Sequence, residues 1–208
     1  MKVITCVMIG LFLAALPAIA DDIQPPWWRG QISTTSQMWE FLSPGQPTPP
    51  DGPAPGGQPP LAGTMTYVEG GTWQPTYGGR GGVWYVPEPG AGYMDVWVTN
   101  HNPPNLVKMV QVQITWTAEG TTAGPWIYGI DPPPSLPPTV LAEVPLEGAW
   151  KETTFYFEIR PNPAQEQFFI GGGIMVDELV VDTWCIPEPA TLSLLALGGL
   201  AAIRRRRK

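Results

Sequence analysis

Cysteine and histidine are almost absent from this chain of 208 residues, which has two cysteines and one histidine. Zinc sites need clustered histidine and cysteine ligands, and a Ser-His-Asp triad needs a histidine with a nucleophile motif. His101 lies in a proline-rich turn, and no G-x-S-x-G motif occurs. These scarcities argue against a zinc enzyme and a triad hydrolase, so we expect a protein that is not an enzyme and has no cofactor.

Basic residues are scarce in the body of the chain. Six of the 11 lysines and arginines lie in the two terminal segments, whereas only one of the 18 acidic residues does, which leaves the body with a net charge near −12. A body this acidic should not bind nucleic acid or anionic lipid through its charge. The glycine-rich stretch 78–82 lacks the Lys-Ser/Thr pair of a phosphate-binding loop, and we interpret it as a hairpin connection.

Long apolar runs occur only at the two ends of the chain. At the N-terminus, Met1-Lys2 precedes an apolar stretch over residues 3–16, and Ala18-Ile19-Ala20 forms an A-x-A cleavage site. This pattern is typical of a secretory signal peptide over residues 1–20, which the export machinery and signal peptidase would handle. Cys6 would be lost with it, so Cys185 cannot form an intramolecular disulfide. An ordinary thiol at a strand end is expected there, with intermolecular pairing or lipid attachment as the alternatives.

The C-terminal segment, residues 187–208, has three parts. Pro187-Glu188-Pro189 is rigid and extended, an apolar run follows over residues 190–203, and a basic cluster ends the chain. The apolar run would cover roughly 21 Å as a helix, against a hydrocarbon core of roughly 30 Å. Basic residues after an apolar helix stay on the cytoplasmic side of a membrane. The residues predicted to flank the anchor in this way are Arg204, Arg205, Arg206, Arg207 and Lys208.

This tripartite segment resembles the PEP-CTERM sorting signal of bacterial exosortase substrates. The resemblance covers about the last tenth of the chain. It implies export, temporary membrane anchoring through the C-terminus, recognition of Pro187, Glu188 and Pro189 by an exosortase, and a final place at the cell surface or outside the cell. An ordinary C-terminal membrane anchor is the alternative. A second Pro-Glu-Pro, at residues 87–89, is followed by glycine rather than an apolar run, so we interpret it as a loop.

The body, residues 21–186, should be one all-β domain. Its share of the 27 prolines and 24 glycines excludes long helices. Alternating apolar and polar residues between these breakers predict nine short strands, which favours an antiparallel β-sandwich of jelly-roll type. The proline- and glycine-rich stretch 43–60 is predicted to be an extended loop. The predicted strands are 32–41, 64–69, 82–86, 93–98, 108–116, 139–144, 150–159, 167–170 and 174–183.

All ten tryptophans lie in the body, and they are its remaining unusual feature. Exposed indoles can stack on sugar rings, although core packing is the commoner role of any single tryptophan. The candidates for a glycan site, chosen because each lies near a loop or opposite an apolar stripe, are Trp73, Trp97, Trp126 and Trp150.

Two further hypotheses concern acidic residues. Asp177, Glu178 and Asp182 could contribute to a structural calcium site, but Asp177 and Glu178 should point to opposite faces of their strand. A pair of carboxylates also suffices for glycoside hydrolysis. The sequence therefore favours an exported structural or adhesive protein of an exopolysaccharide or biofilm matrix. A carbohydrate-binding module is the second hypothesis and a hydrolase is the third.

Overall fold

The computed structural model describes residues 21–101, 106–120 and 124–187, and these residues form an all-β body. Within the described ranges there is no helix long and apolar enough to cross a membrane. The predicted signal peptide, including Ala18 and Ala20, lies outside them, as does the predicted C-terminal helix.

The described residues contain eleven strands. The strands are β1 (Thr34–Trp39), β2 (Met65–Glu69), β3 (Thr72–Tyr77), β4 (Arg80–Val86), β5 (Tyr93–Thr99), β6 (Leu106–Ala118), β7 (Trp126–Asp131), β8 (Leu136–Pro145), β9 (Lys151–Ile159), β10 (Gln165–Gly171) and β11 (Ile174–Pro187).

These strands form two antiparallel sheets. The seven-stranded sheet has the order β3-β4-β11-β6-β9-β8, and β1 pairs with β11 beside this path. The four-stranded sheet has the order β2-β5-β10-β7. The long strand β11 therefore lies in the middle of the larger sheet and holds β4, β6 and β1 together.

The inner faces of the two sheets share one hydrophobic core. Val110, Val112 and Ile114 of β6 are fully buried in it, together with Val96 of β5 and Ile170 of β10. The rings of Phe157 and Phe168, one from each sheet, meet edge to face with centroids 5.7 Å apart. The predicted apolar face of residues 108–116 is confirmed. The two antiparallel sheets agree with the predicted β-sandwich, and its jelly-roll type stays a prediction.

Each of the nine predicted strands corresponds to an observed strand, but the sequence reading missed β3 and β7. Pro75 interrupts the pattern of β3 and Gly129 interrupts that of β7, and both residue types are poor strand formers. Both strands lie at sheet edges, where such residues are tolerated. Gly78 and Gly79, with φ of 55° and 86°, form the two-residue turn between β3 and β4, as expected for a hairpin connection.

Much of the outer face of the seven-stranded sheet is polar yet buried, most clearly on β6 and β11. Residues 21–33, here called the N-terminal cover, supply backbone groups to its side chains. The Gln24 nitrogen donates to Gln113 Oε1 at 2.9 Å, and Gln111 Nε2 donates to the Gln24 oxygen at 2.6 Å. Arg29 Nε donates to Asp182 Oδ1 at 2.8 Å. Buried polar groups are stable only when they are hydrogen-bonded, and the N-terminal cover meets that need for Gln111, Gln113 and Asp182.

A β-bulge in β11 overturns one detail of the sequence reading. The pairing with β6 shifts between Val176 and Glu178, so Asp177 is the extra residue. Because of this shift, Val176 and Leu179 both face the core, and Asp177 and Glu178 both lie near Asp21. The expectation that these two carboxylates point to opposite faces was wrong, since a bulge breaks the two-residue period.

Residues 43–60 contain no regular strand and pack against the body. Thr48 forms a bridge with Thr66, Trp39 Nε1 donates to the Thr48 oxygen at 3.1 Å, and Ala54 is buried. These contacts fix the segment against β1 and β2.

Candidate functional site: the open face of the four-stranded sheet

The outer face of the four-stranded sheet carries aromatic and polar side chains that are all at least partly exposed. Directly paired residues of antiparallel strands lie on the same face, and the register therefore assembles this surface. Tyr67, Asp95, Phe169 and Tyr128 form one row across all four strands. We call this surface the open face, and its members are Tyr67, Glu69, Tyr93, Asp95, Trp97, Trp126, Tyr128, Gln167 and Phe169.

Three aromatic rings form a ladder across the open face. The ring centroids of Tyr93 and Phe169 are 4.5 Å apart, and those of Phe169 and Tyr128 are 5.8 Å apart. The interplanar angles are 40° and 56°, so the rings tilt against one another. The ladder crosses β5, β10 and β7 and presents a continuous apolar strip on an otherwise polar surface.

Gly129 allows the middle ring of the ladder to lie close to the backbone. Its φ is +58°, and a Cβ at this position would lie 2.3 Å from Cδ2 of Phe169. Any side chain here would therefore displace the Phe169 ring. Gly129, which prevented the prediction of β7 from the sequence, therefore also determines where the Phe169 ring can lie.

Polar groups border the ladder and are held in defined orientations. The Tyr93 hydroxyl donates to Glu69 Oε2 at 2.6 Å, and this hydrogen bond raises the pKa of Tyr93 to about 12. Gln167 Nε2 donates to both carboxylate oxygens of Asp95 at 2.9 Å. Oriented carboxylates and amides beside an apolar strip suit a ligand that carries both hydroxyl groups and C–H surfaces.

A shallow pocket of about 330 Å³ lies along the ladder and is bordered by all three of its rings. Glu69, Tyr93, Tyr128 and Phe169 line it, together with residues 90–92 of the preceding turn. Its size lies at the lower end of the range for small-molecule sites, roughly 300–1,000 Å³. The ladder and this pocket together form an elongated surface rather than a deep cleft.

The structure places the four predicted tryptophans in different environments. Trp97 lies on the open face between Met65 and Gln167, and Trp126 lies at the start of β7 with 43% of its surface exposed. Trp73 packs against the core and donates from Nε1 to the Phe41 oxygen at 2.8 Å. Trp150 is only 3% exposed and donates to the Gly78 oxygen at 3.0 Å. The open face therefore carries Trp97 and Trp126, opposite Gln167 and Gly171 of β10, but not Trp73 and Trp150.

The sequence reading missed Tyr93, Tyr128 and Phe169 as members of a site. A signal was present, because Tyr93, Asp95 and Trp97 alternate with the apolar residues of β5. Aromatic residues on the face opposite an apolar stripe indicate a surface that another molecule can cover.

The three acids considered for calcium bind protein groups instead. Asp182 pairs with Arg29 and Asp177 with Arg80, while Glu178 accepts from the Asp21 nitrogen at 2.8 Å. The described part of the chain has no group of three histidines, cysteines or acids placed to hold a metal ion. Calcium binding stays a prediction.

A second cluster of reactive groups lies inside the core, near the end of β5. Lys108 Nζ and Glu166 Oε1 are 3.0 Å apart, and both side chains are fully buried. Burial lowers the pKa of Lys108 and raises that of Glu166. Cys185 is also buried, which raises the pKa of its thiol. These groups face the interior of the protein, so we assign them a structural role.

Of the sorting residues, Pro187 ends β11 opposite Leu106, and Glu188, Pro189 and the basic cluster 204–208 lie outside the described residues. No curated protein and no solved structure matches the chain. The family model of the PEP-CTERM protein-sorting motif matches residues 186–208. The motif implies recognition by an exosortase, export, and C-terminal membrane anchoring before processing. The chain is therefore a β-rich protein that carries a PEP-CTERM sorting motif, consistent with an exosortase substrate.

Proposed function

We propose that this exported protein has a structural and adhesive role in an extracellular polysaccharide matrix, and that its open face binds the polysaccharide. The single observation that carries the proposal is the ladder of Tyr93, Phe169 and Tyr128. Sugar rings expose C–H faces that pack on aromatic rings, and their hydroxyls donate to carboxylates such as Glu69 and Asp95. The ladder crosses three strands, so it suits a chain of sugars better than a single ring.

The proposal includes a final location at the cell surface or in the extracellular matrix. The negative net charge of the body is compatible with solubility outside the cell. The export and C-terminal anchoring that the sorting motif implies support this location.

A binding role is favoured over hydrolysis. A glycosidase needs a carboxylic acid with a raised pKa beside its substrate. Burial raises the pKa of Glu152 to about 7 and that of Glu178 to about 8, but both lie beneath the N-terminal cover on the other sheet. We therefore expect no release of reducing ends when the protein is incubated with the polysaccharide.

The test is a titration of the processed protein with the host's extracellular polysaccharide, followed by intrinsic tryptophan fluorescence. Trp97 and Trp126 lie on the open face, so saturable binding should change the emission. F169A should lower the affinity at least tenfold. The matched control is W27A, because Trp27 is 77% exposed and lies outside the open face.

Two results would contradict the proposal. One is no saturable change with protein that circular dichroism shows to be folded. The other is an equal loss of affinity in F169A and W27A, which would place binding elsewhere.

A further inference from the structure

The layer beneath the N-terminal cover contains more carboxylates than cations. Arg29 pairs with Asp22 and Asp182, and Arg80 pairs with Asp21 and Asp177. Glu152 and Glu178 lie in the same layer, on either side of Thr115 in the sheet register. Among the described residues, neither of these two glutamates forms a salt bridge. One more positive charge would therefore stabilise this layer.

Glu178 is a buried carboxylate of this layer that has no salt-bridge partner among the described residues. The residue is 5% exposed, and within the described structure its buried Oε1 has no hydrogen-bond partner. Its Oε2 accepts one hydrogen bond, from the backbone nitrogen of Asp21 at 2.8 Å. Burial raises its pKa to about 8, and the neighbouring charges of Asp21, Asp177 and Glu40 act in the same direction.

The donor of this hydrogen bond is the nitrogen that cleavage after Ala20 would release. Within the precursor, this atom is a neutral amide nitrogen with one N–H group. After hydrolysis of the Ala20–Asp21 bond it becomes an α-ammonium, with a positive charge at neutral pH and three N–H groups. A charge-assisted hydrogen bond is about twice as strong as a neutral one, and the low dielectric of a buried site strengthens it further.

We propose that Glu178 is the binding site for the mature N-terminus of this protein, and that removal of the signal peptide completes the N-terminal cover by forming a buried Asp21 ammonium–Glu178 ion pair. The proposal rests on the predicted cleavage after Ala20 and is independent of polysaccharide binding. Cleavage converts an uncompensated buried carboxylate into a paired one without moving its partner atom.

The test is a double-mutant cycle on the exported, processed protein. One change inserts a serine between Ala20 and Asp21, which moves the α-ammonium away from Glu178 by one residue. The other is Glu178→Gln, which keeps the shape of the side chain and removes its charge. Mass spectrometry of each protein first establishes its N-terminal residue, and thermal unfolding is then measured at pH 7.5.

We expect the serine insertion to lower the melting temperature by about 5 °C in the Glu178 protein and by less than about 1 °C in the E178Q protein. The control E119Q, which changes an exposed acid, should leave the effect of the insertion unchanged. Equal effects of the insertion in the Glu178 and E178Q proteins would overturn the proposal, as would processed wild-type protein that does not begin at Asp21.

A second measurement keeps the proposal testable if E178Q fails to fold. Cyanate modifies only unprotonated amines, and a buried ion pair keeps an amine protonated and shielded. The α-amine of the folded processed protein should react at least tenfold more slowly than that of the urea-unfolded protein. Equal rates in the two states would refute the ion pair.

Discussion

The two outer faces of this body reverse the usual relation between polarity and burial. The outer face of the seven-stranded sheet carries Gln111, Gln113 and Glu152, yet these residues are buried. The outer face of the four-stranded sheet carries Tyr93 and Phe169, yet these rings are partly exposed. Period-two alternation identifies the two faces of a strand, but it does not say which face another segment will cover.

The difference reflects what covers each face. The N-terminal cover brings backbone groups and Arg29 to a surface that needs hydrogen bonds, so the two are complementary. The open face has an apolar ladder with oriented polar groups at its border, and this composition supports the proposed binding role. The first face contributes to stability, and the second is free to contribute to binding.

A large effect should follow from removing the charge that fastens the N-terminal cover. R29M leaves Asp182, whose side chain is 1% exposed, without its cationic partner. Breaking a buried pair in this way costs about 3–5 kcal/mol, measured by urea denaturation. R160M is the control, since Arg160 forms an exposed pair with Glu158 worth less than about 1 kcal/mol. Similar losses in the two variants would show that the cover contributes no more than a surface pair.

A slightly smaller effect should distinguish the two faces by pH. Glu152 lies beneath the N-terminal cover, where Asp21, Asp22 and Arg29 are the charged neighbours, and burial raises its pKa from 4.5 to about 7. Because the folded-state pKa is the higher one, the protonated form stabilises the fold. This stability is lost as the pH rises from 4.5 through 7, by on the order of 3 kcal/mol.

Urea denaturation at several pH values between 4.5 and 8 tests this expectation. E152Q should reduce the fall in the unfolding free energy over that range, without abolishing it, because the raised pKa of Glu178 contributes to the same fall. E69Q changes an acid of the open face and should leave the fall unchanged. An identical slope in the wild type and E152Q would contradict the assignment.

Two consecutive phenylalanines compare the core with the open face directly. Phe168 is fully buried, and F168A should cost about 3–5 kcal/mol of unfolding free energy. Phe169 lies on the open face, where its aromatic contacts are worth about 1 kcal/mol, so F169A should fold normally. Urea denaturation of both variants measures the difference. A loss in F169A as large as in F168A would show that the ladder is part of the core.

The smallest effect concerns a single hydrogen bond on the open face. Tyr93 should ionise at about pH 12 because its hydroxyl donates to Glu69. E69Q removes the negative charge and should bring the pKa back toward the ordinary value of 10. Ultraviolet absorbance at high pH measures the ionisation. An unchanged tyrosinate titration in E69Q would mean that the hydrogen bond is absent in solution.

Much of the fold follows from local patterns in the sequence. Alternation over residues 108–116 predicted both the strand and its core face, because one sheet surface packs on the other. The edge strand β3 escaped detection because Pro75 broke the pattern, and the bulge at Asp177 is invisible to a two-residue period. The sorting motif was recognised because it depends on consecutive residues.

The candidate site was harder to predict than the strands. Trp97 was identified from its position opposite an apolar stripe, whereas Phe169 was assigned only to a strand. The ladder depends on the register between β5, β10 and β7, and register is a long-range property. The fate of Trp150 was equally hidden, since its burial depends on Gly78 and Arg80, about 70 residues away in the chain.

The place of β11 in the fold has a consequence for the order of events during export. This strand is the last of the body, yet it lies between β6 on one side and β4 and β1 on the other. The seven-stranded sheet therefore cannot close until residue 187 has emerged. By then the predicted membrane anchor, which begins at residue 190, has reached the translocation machinery. We therefore expect the body to finish folding late in export, with Pro187, the first residue of the sorting motif, already part of the finished sheet.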